Sequence, residues 1–65
     1  MYEGWIEHLT EATCEHPDHA DLWCSLGQAL HLVGRVEPAL TAFEQALRLN
    51  PSYADAIVAR SFALG

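Results

Sequence analysis

Lysine is absent from this 65-residue chain, and Arg35, Arg48 and Arg60 face nine carboxylates, for a net charge of −6 with the histidines neutral. Neutralising a run of phosphates takes a basic patch, and none can be assembled here, which argues against nucleic acid and against an anionic membrane surface. Long apolar runs are missing too: none approaches the roughly 18 residues of a membrane span. The opening residues, MYEGWIEHLTE, have neither the basic start nor the apolar stretch of a secretory signal. A soluble, cytoplasmic chain is therefore the expectation. Cysteine is scarce, and Cys14 and Cys24 are too few for the disulfide framework of a small secreted domain; free thiols in a reducing compartment are the simpler reading. Charge of any sign is thin at 18%, whereas 51% of residues are hydrophobic, the reverse of a disordered tail.

Small size sets the stability. One domain is the most the chain can form, and a core of this size rarely supplies more than roughly 3 to 5 kcal/mol without disulfides, metal or association. A neighbouring chain or further sequence is expected to complete it.

Sustained period-two alternation is absent, while apolar residues recur at three and four, so the chain is expected to be all-α. Tyr2, Trp5, Ile6, Leu9 and Ala12 mark one face of a first helix that must end before Pro17, because the residue ahead of a proline is pushed out of helical geometry. HPDHADL is a turn whose carboxylates favour the positive end of the next helix. A second helix carries Leu22, Trp23, Leu26, Leu30 and Val33, with Gly34 placed to cap its C-terminus. Pro38 suits a helix's first turn, which puts the start of the third near Val36. The apolar set of that helix is Ala39, Leu40, Phe43, Ala46 and Leu47. LNPSYAD closes it, and Ile57, Val58, Phe62 and Leu64 lie on a fourth helix.

The chain also repeats itself. His16-Pro17-Asp18 returns as Asn50-Pro51-Ser52, and the same offset relates Ala12 to Ala46, Leu9 to Phe43, Ala20 to Ala54, and Asp21 to Asp55. Two helices of about a dozen residues joined by a tight turn fill that period, and successive pairs would stack. Residues 20–53 resemble a tetratricopeptide repeat: Trp23, Leu26, Gly27, Leu30, Ala39, Phe43, Ala46 and Pro51 fill the signature positions at the family's spacing. Residues 2–19 resemble the second helix of a preceding repeat, and 54–65 a capping helix or the first helix of a following one. Arg60 departs from the pattern, standing where an apolar residue is usual; a polar residue there suits a terminal helix that meets water. The resemblance implies antiparallel helix-turn-helix hairpins stacked as a short solenoid of about four helices. It also gives Gly27 a purpose. Glycine inside a helix costs roughly 1 kcal/mol relative to alanine, and close approach of two helices at Gly27, Ala39 and Ala46 offsets that cost.

Chemistry finds little support. Cys14, His16, His19 and Cys24 are ligand types that zinc prefers, but C-x-H-x2-H-x4-C lacks the paired spacing of zinc signatures and places Cys24 within a helix, so no metal or cofactor is expected. A Cys and His pair needs an oxyanion pocket to be catalytic, and neither phosphate loops nor nucleophile elbows occur, so the chain is not expected to be an enzyme. Glu3, Glu7, Glu11 and Glu15 recur every four residues on the first helix. A solvated outer face is the simpler reading; a docking strip for a basic partner, weakened by salt, is the alternative.

In the resembled family the first helix of each repeat lines the concave side of the stack, where peptides or partner helices bind. That implies a groove of Asp21, Cys24, Gln28, His31 and Leu32 from the second helix, followed by Tyr53, Asp55, Val58 and Phe62. The Lys, Asn and Arg set by which one subclass clamps carboxylate-ended tails is replaced here by Cys24, Gln28, Asp55 and Val58, so an apolar or somewhat basic peptide is expected. Self-association into a dimer or a stacked or helix-swapped oligomer is the alternative role.

Overall fold

The computed structural model describes residues 2–64, and their side chains from Gly4 onward. The side chains of Tyr2 and Glu3, assigned above to the apolar and acidic faces of the first helix, lie outside the described residues. Four helices follow one another, α1 (Tyr2–Glu15), α2 (Ala20–Leu32), α3 (Val36–Leu49) and α4 (Ala54–Leu64), with no strand among the described residues. They form a slab of 29 × 27 × 14 Å in which α2 and α3 pack most extensively, α1 lies on α2, α4 lies on α3, and α2 and α4 touch lightly.

Local sequence places each boundary. Gly34 follows α2 with φ of 86°, a left-handed conformation that glycine adopts without Cβ strain. There the Arg35 amide donates to the Leu30 carbonyl at 2.9 Å and the Gly34 amide to His31 at 3.0 Å, the pair of bonds that closes a Schellman motif. Val33 supplies the last helical bond, to Ala29 at 3.3 Å. Pro38 sits in the first turn of α3, where its missing N–H costs nothing.

The period of the sequence is visible in the backbone. The His19 amide donates to His16 at 3.2 Å, and the Tyr53 amide to Asn50 at 3.0 Å. His16 donates to Ala12 at 2.8 Å, and Asn50 to Ala46 at 2.9 Å. Each member of a pair lies exactly one repeat from its counterpart, so the two inter-helix turns are built the same way.

Packing centres on Phe43, which is wholly buried. Ile6 and Leu9 from α1, Leu26, Ala29 and Leu30 from α2, Ala39, Ala42 and Ala46 from α3, and Ala56 from α4 complete the core. A Cβ added to Gly27 would stand 2.5 Å from Phe43 Cε1 and 2.6 Å from Cδ1, inside van der Waals contact. The glycine admits the ring.

Burial departs from the apolar pattern at several places. Because α3 packs against both α2 and α4, its buried arc is Ala39, Ala42, Phe43 and Ala46, which leaves Leu40 and Leu47 half-buried at its edges. Trp23 is half-buried as well: its indole N–H donates to the Pro17 carbonyl at 3.0 Å, which holds the ring at the mouth of the turn. Trp5 is exposed on α1, and Ile57, Val58, Phe62 and Leu64 are exposed on α4, where Ala56 alone of the described residues is buried. These outer helices meet a neighbour on one side. Thr13, the buried polar residue of α1, donates its hydroxyl to the Thr10 carbonyl at 2.8 Å and so satisfies itself within the helix.

Candidate functional site

The first turns of α2 and α4 lie side by side, and each begins with an acidic residue, Asp21 and Asp55, where negative charge complements the helix dipole. Between them stands Tyr53, half-buried in the turn that leads into α4. Its phenol shares a hydrogen bond with the Asp21 carboxylate, which pushes its pKa up to about 12, aided by burial and by the negative charge of Asp21, Cys24 and Asp55. Cys24 lies beneath at 3% exposure, and the Gln28 side-chain amide donates to its sulfur at 3.8 Å. Burial first, then the charges of Asp55 and Asp21, raise the Cys24 pKa, while the Tyr53 hydrogen bond pulls the other way.

Five of the nine groove positions implied by the resemblance thus meet in one polar cluster: Asp21, Cys24, Gln28, Tyr53 and Asp55. His31 and Leu32 are exposed further along α2, and Val58 and Phe62 are exposed along α4. Val58 and Phe62 join Ile57 and Ser61 around an open apolar depression of about 460 Å³. Ile57 and Ser61 fall outside the implied groove. Their signal is the repeat itself, since they stand one period after Trp23 and Gly27. On the outer side of α3, Thr41, Glu44, Gln45 and Arg48 border a polar depression of about 220 Å³ formed by neighbouring turns of one helix.

The cluster is suited to contact. A thiol nucleophile has to ionise, and both burial and two carboxylates oppose ionisation of Cys24. Cys14, in contrast, is exposed near the end of α1. A thiol reagent is expected to label Cys14 promptly and Cys24 on the order of a hundredfold more slowly, at a rate set by opening of the fold. Mass spectrometry of the labelled chain over time checks this, and equal rates would mean that Cys24 is not covered. The His16 and His19 rings lie 5.2 Å apart, centroid to centroid, and are tilted by 43°. Among the described residues no three of His, Cys, Asp and Glu converge as a metal site would require. Glu7, Glu11 and Glu15 are exposed on α1, as are His8 and Arg60 on α1 and α4.

The signature positions are held by the core, with Leu26, Gly27, Leu30, Ala39, Phe43 and Ala46 buried, Trp23 half-buried and Pro51 exposed in its turn. Comparison with known proteins agrees with this arrangement. The family model described as tetratricopeptide repeat matches residues 20–53, more than half of the chain. Superkiller protein 3 of Saccharomyces cerevisiae is 38% identical over 48 residues, which cover 74% of this chain and 3% of that protein. The chain thus spans a small fraction of the length of that relative. No solved structure gives a significant match. Repeats of this kind mediate protein–protein interactions on a non-enzymatic scaffold. With its hairpin, its small-residue contact and its internal period all in place, the chain belongs to the tetratricopeptide repeat family.

Proposed function

We propose that this chain is a protein-interaction module that holds an extended or helical peptide along the face shared by α2 and α4. The observation that carries the reading is the grading of that face. Its start is acidic, at Asp21 and Asp55, with the Tyr53 phenol between them, and its continuation along α4 is apolar, at Val58 and Phe62, which are 54% and 73% exposed. Gln28 and His31, exposed on α2, supply hydrogen-bonding groups beside it. Such a surface suits a peptide with a basic side chain at one end and apolar ones further on, recognised by shape and charge, with no bond made or broken. Two free cysteines, one of them exposed, suit a reducing, cytoplasmic setting.

Peptides selected on the chain from a random library test the reading. The selected sequences are expected to combine Lys or Arg with apolar residues and to bind more weakly as salt rises. Replacing Gln28 and His31 together by alanine should weaken them on the order of tenfold, measured by fluorescence anisotropy, since both side chains stand in the face and neither supports the core. Undiminished affinity in that double variant would move the binding surface elsewhere.

A further inference from the structure

The turn between α1 and α2 carries two imidazoles on a backbone frame whose counterpart one repeat later carries none. His16 and His19 are its first and fourth residues, and the His19 amide closes it by donating to the His16 carbonyl at 3.2 Å. Pro17 stands second, where its ring fixes φ. Both ends are tied to helices: the His16 amide donates to Ala12 of α1 at 2.8 Å, and the His19 carbonyl accepts the Trp23 amide of α2 at 3.4 Å. The Trp23 indole N–H holds the Pro17 carbonyl between them, at 3.0 Å. The backbone of the pair is therefore set before any ligand arrives. Both side chains are exposed, with ring centroids 5.2 Å apart and planes tilted by 43°. In the later turn Asn50 and Tyr53 take these places, and Asn50 Oδ1 accepts the Ser52 amide at 3.2 Å. The same turn forms without histidine, so the fold does not require the pair.

We propose that His16 and His19 bind one zinc ion between their rings, each giving the lone pair of one nitrogen. Spacing carries the proposal. A zinc–nitrogen bond of about 2.1 Å places the centre of an imidazole roughly 3.2 Å from the ion, and two rings at a tetrahedral angle then have centres about 5 Å apart. The pair already stands at that separation, and rings in solvent can turn a nitrogen inward without disturbing the core. No third His, Cys, Asp or Glu converges on them among the described residues, and Cys24 is buried, so C-x-H-x2-H-x4-C does not close into a structural site of four protein ligands. Water fills the remaining positions, which leaves the site open and its zinc exchangeable. Glu15 and Asp18, exposed and next to the histidines in sequence, add to a net charge of −6 that draws cations. Bound there, zinc ties the end of α1 to the start of α2, a brace from which a core this small gains much.

Titration with zinc, followed by nuclear magnetic resonance of the imidazole protons, is the test, because the chain supplies its own controls. The His16 and His19 signals are expected to shift together and saturate at one ion per chain, while those of His8 and His31, exposed on α1 and α2, stay in place. The melting temperature should rise by several degrees at saturating zinc and fall back with a chelator. His16→Ala and His19→Ala should each weaken zinc binding on the order of tenfold or more in titration calorimetry. Both variants should keep the helical circular dichroism of the parent, since both rings are exposed and His19 caps α2 without a side-chain hydrogen bond. Cys14→Ser should bind zinc as the parent does, and so should the Gln28 and His31 double-alanine variant, which separates this site from the peptide face. Equal shifts at all four histidines would mean an adventitious ion only and overturn the proposal. Zinc affinity that survives the loss of both His16 and His19, or that vanishes with Cys14, would overturn it as well.

Discussion

Gly27→Ala is expected to destabilise the chain by about 1 to 3 kcal/mol, although alanine is the better helix former by roughly 1 kcal/mol. The sign is decided by space. The new Cβ would stand 2.5 Å from Phe43 Cε1, and the ring is wholly buried, so it cannot swing into solvent to make room. Either α2 and α3 separate, opening gaps along the contact, or the ring leaves its rotamer and displaces the alanines beside it. Gly27→Leu should be worse, because its branched end enters the same closed space. For a domain of this length, about 1 kcal/mol corresponds to roughly 4 to 8 °C in melting temperature, so even the alanine variant is readily measured by thermal circular dichroism. Stability equal to or above that of the parent would show that the helices do not meet closely at this position.

Much of this arrangement is legible in the sequence. Helix ends are marked by residues whose backbone constraints act locally, Pro17, Gly34, Pro38 and Pro51, and such constraints hold whatever surrounds them. Gly27 becomes interpretable through the internal period, because a costly residue at a fixed place in a repeat points to a contact. Burial is less legible, since it depends on what lies alongside. Ala42 is buried because α3 has neighbours on two sides, while Trp5, Ile57 and Leu64, which by composition belong inside, are exposed because α1 and α4 each have a neighbour on one side. Thr13 stands outside the apolar pattern of its helix, and its burial is permitted by a hydrogen bond to that helix's own backbone.

The groove shows the same division. Helical spacing puts Asp21, Cys24 and Gln28 on one stripe of α2, and they share it. What spacing cannot give is depth. Cys24 lies under the polar cluster while Asp21 and Gln28 stand exposed, and the difference comes from Tyr53, brought over α2 by the turn between α3 and α4. A residue of one repeat's first helix is thus covered by the turn that leads into the next repeat. The raised pKa of Tyr53, which depends on Asp21 across that distance in sequence, is a consequence of the fold and leaves no local trace.

Phe43→Ala should be the most damaging single substitution in the chain. Removing a fully buried phenylalanine costs about 3 to 5 kcal/mol, as much as a core of this size supplies in total, so the variant should be largely unfolded at room temperature. Urea titration followed by far-ultraviolet circular dichroism would show a chain without a native baseline; a cooperative transition near that of the parent would remove Phe43 from the centre of the fold. The gentler Phe43→Leu lets the contact with Gly27 be measured. If the glycine exists to admit the ring, Gly27→Ala must cost less once the ring is gone, with a coupling of about 0.5 to 3 kcal/mol between the two sites. Simple additivity would mean that glycine serves some other purpose at position 27. A strong coupling would locate the hairpin's tolerance for small and large residues in the sum of the two facing positions, and it is that sum, more than either residue alone, that one repeat must conserve for its neighbours to stack on it.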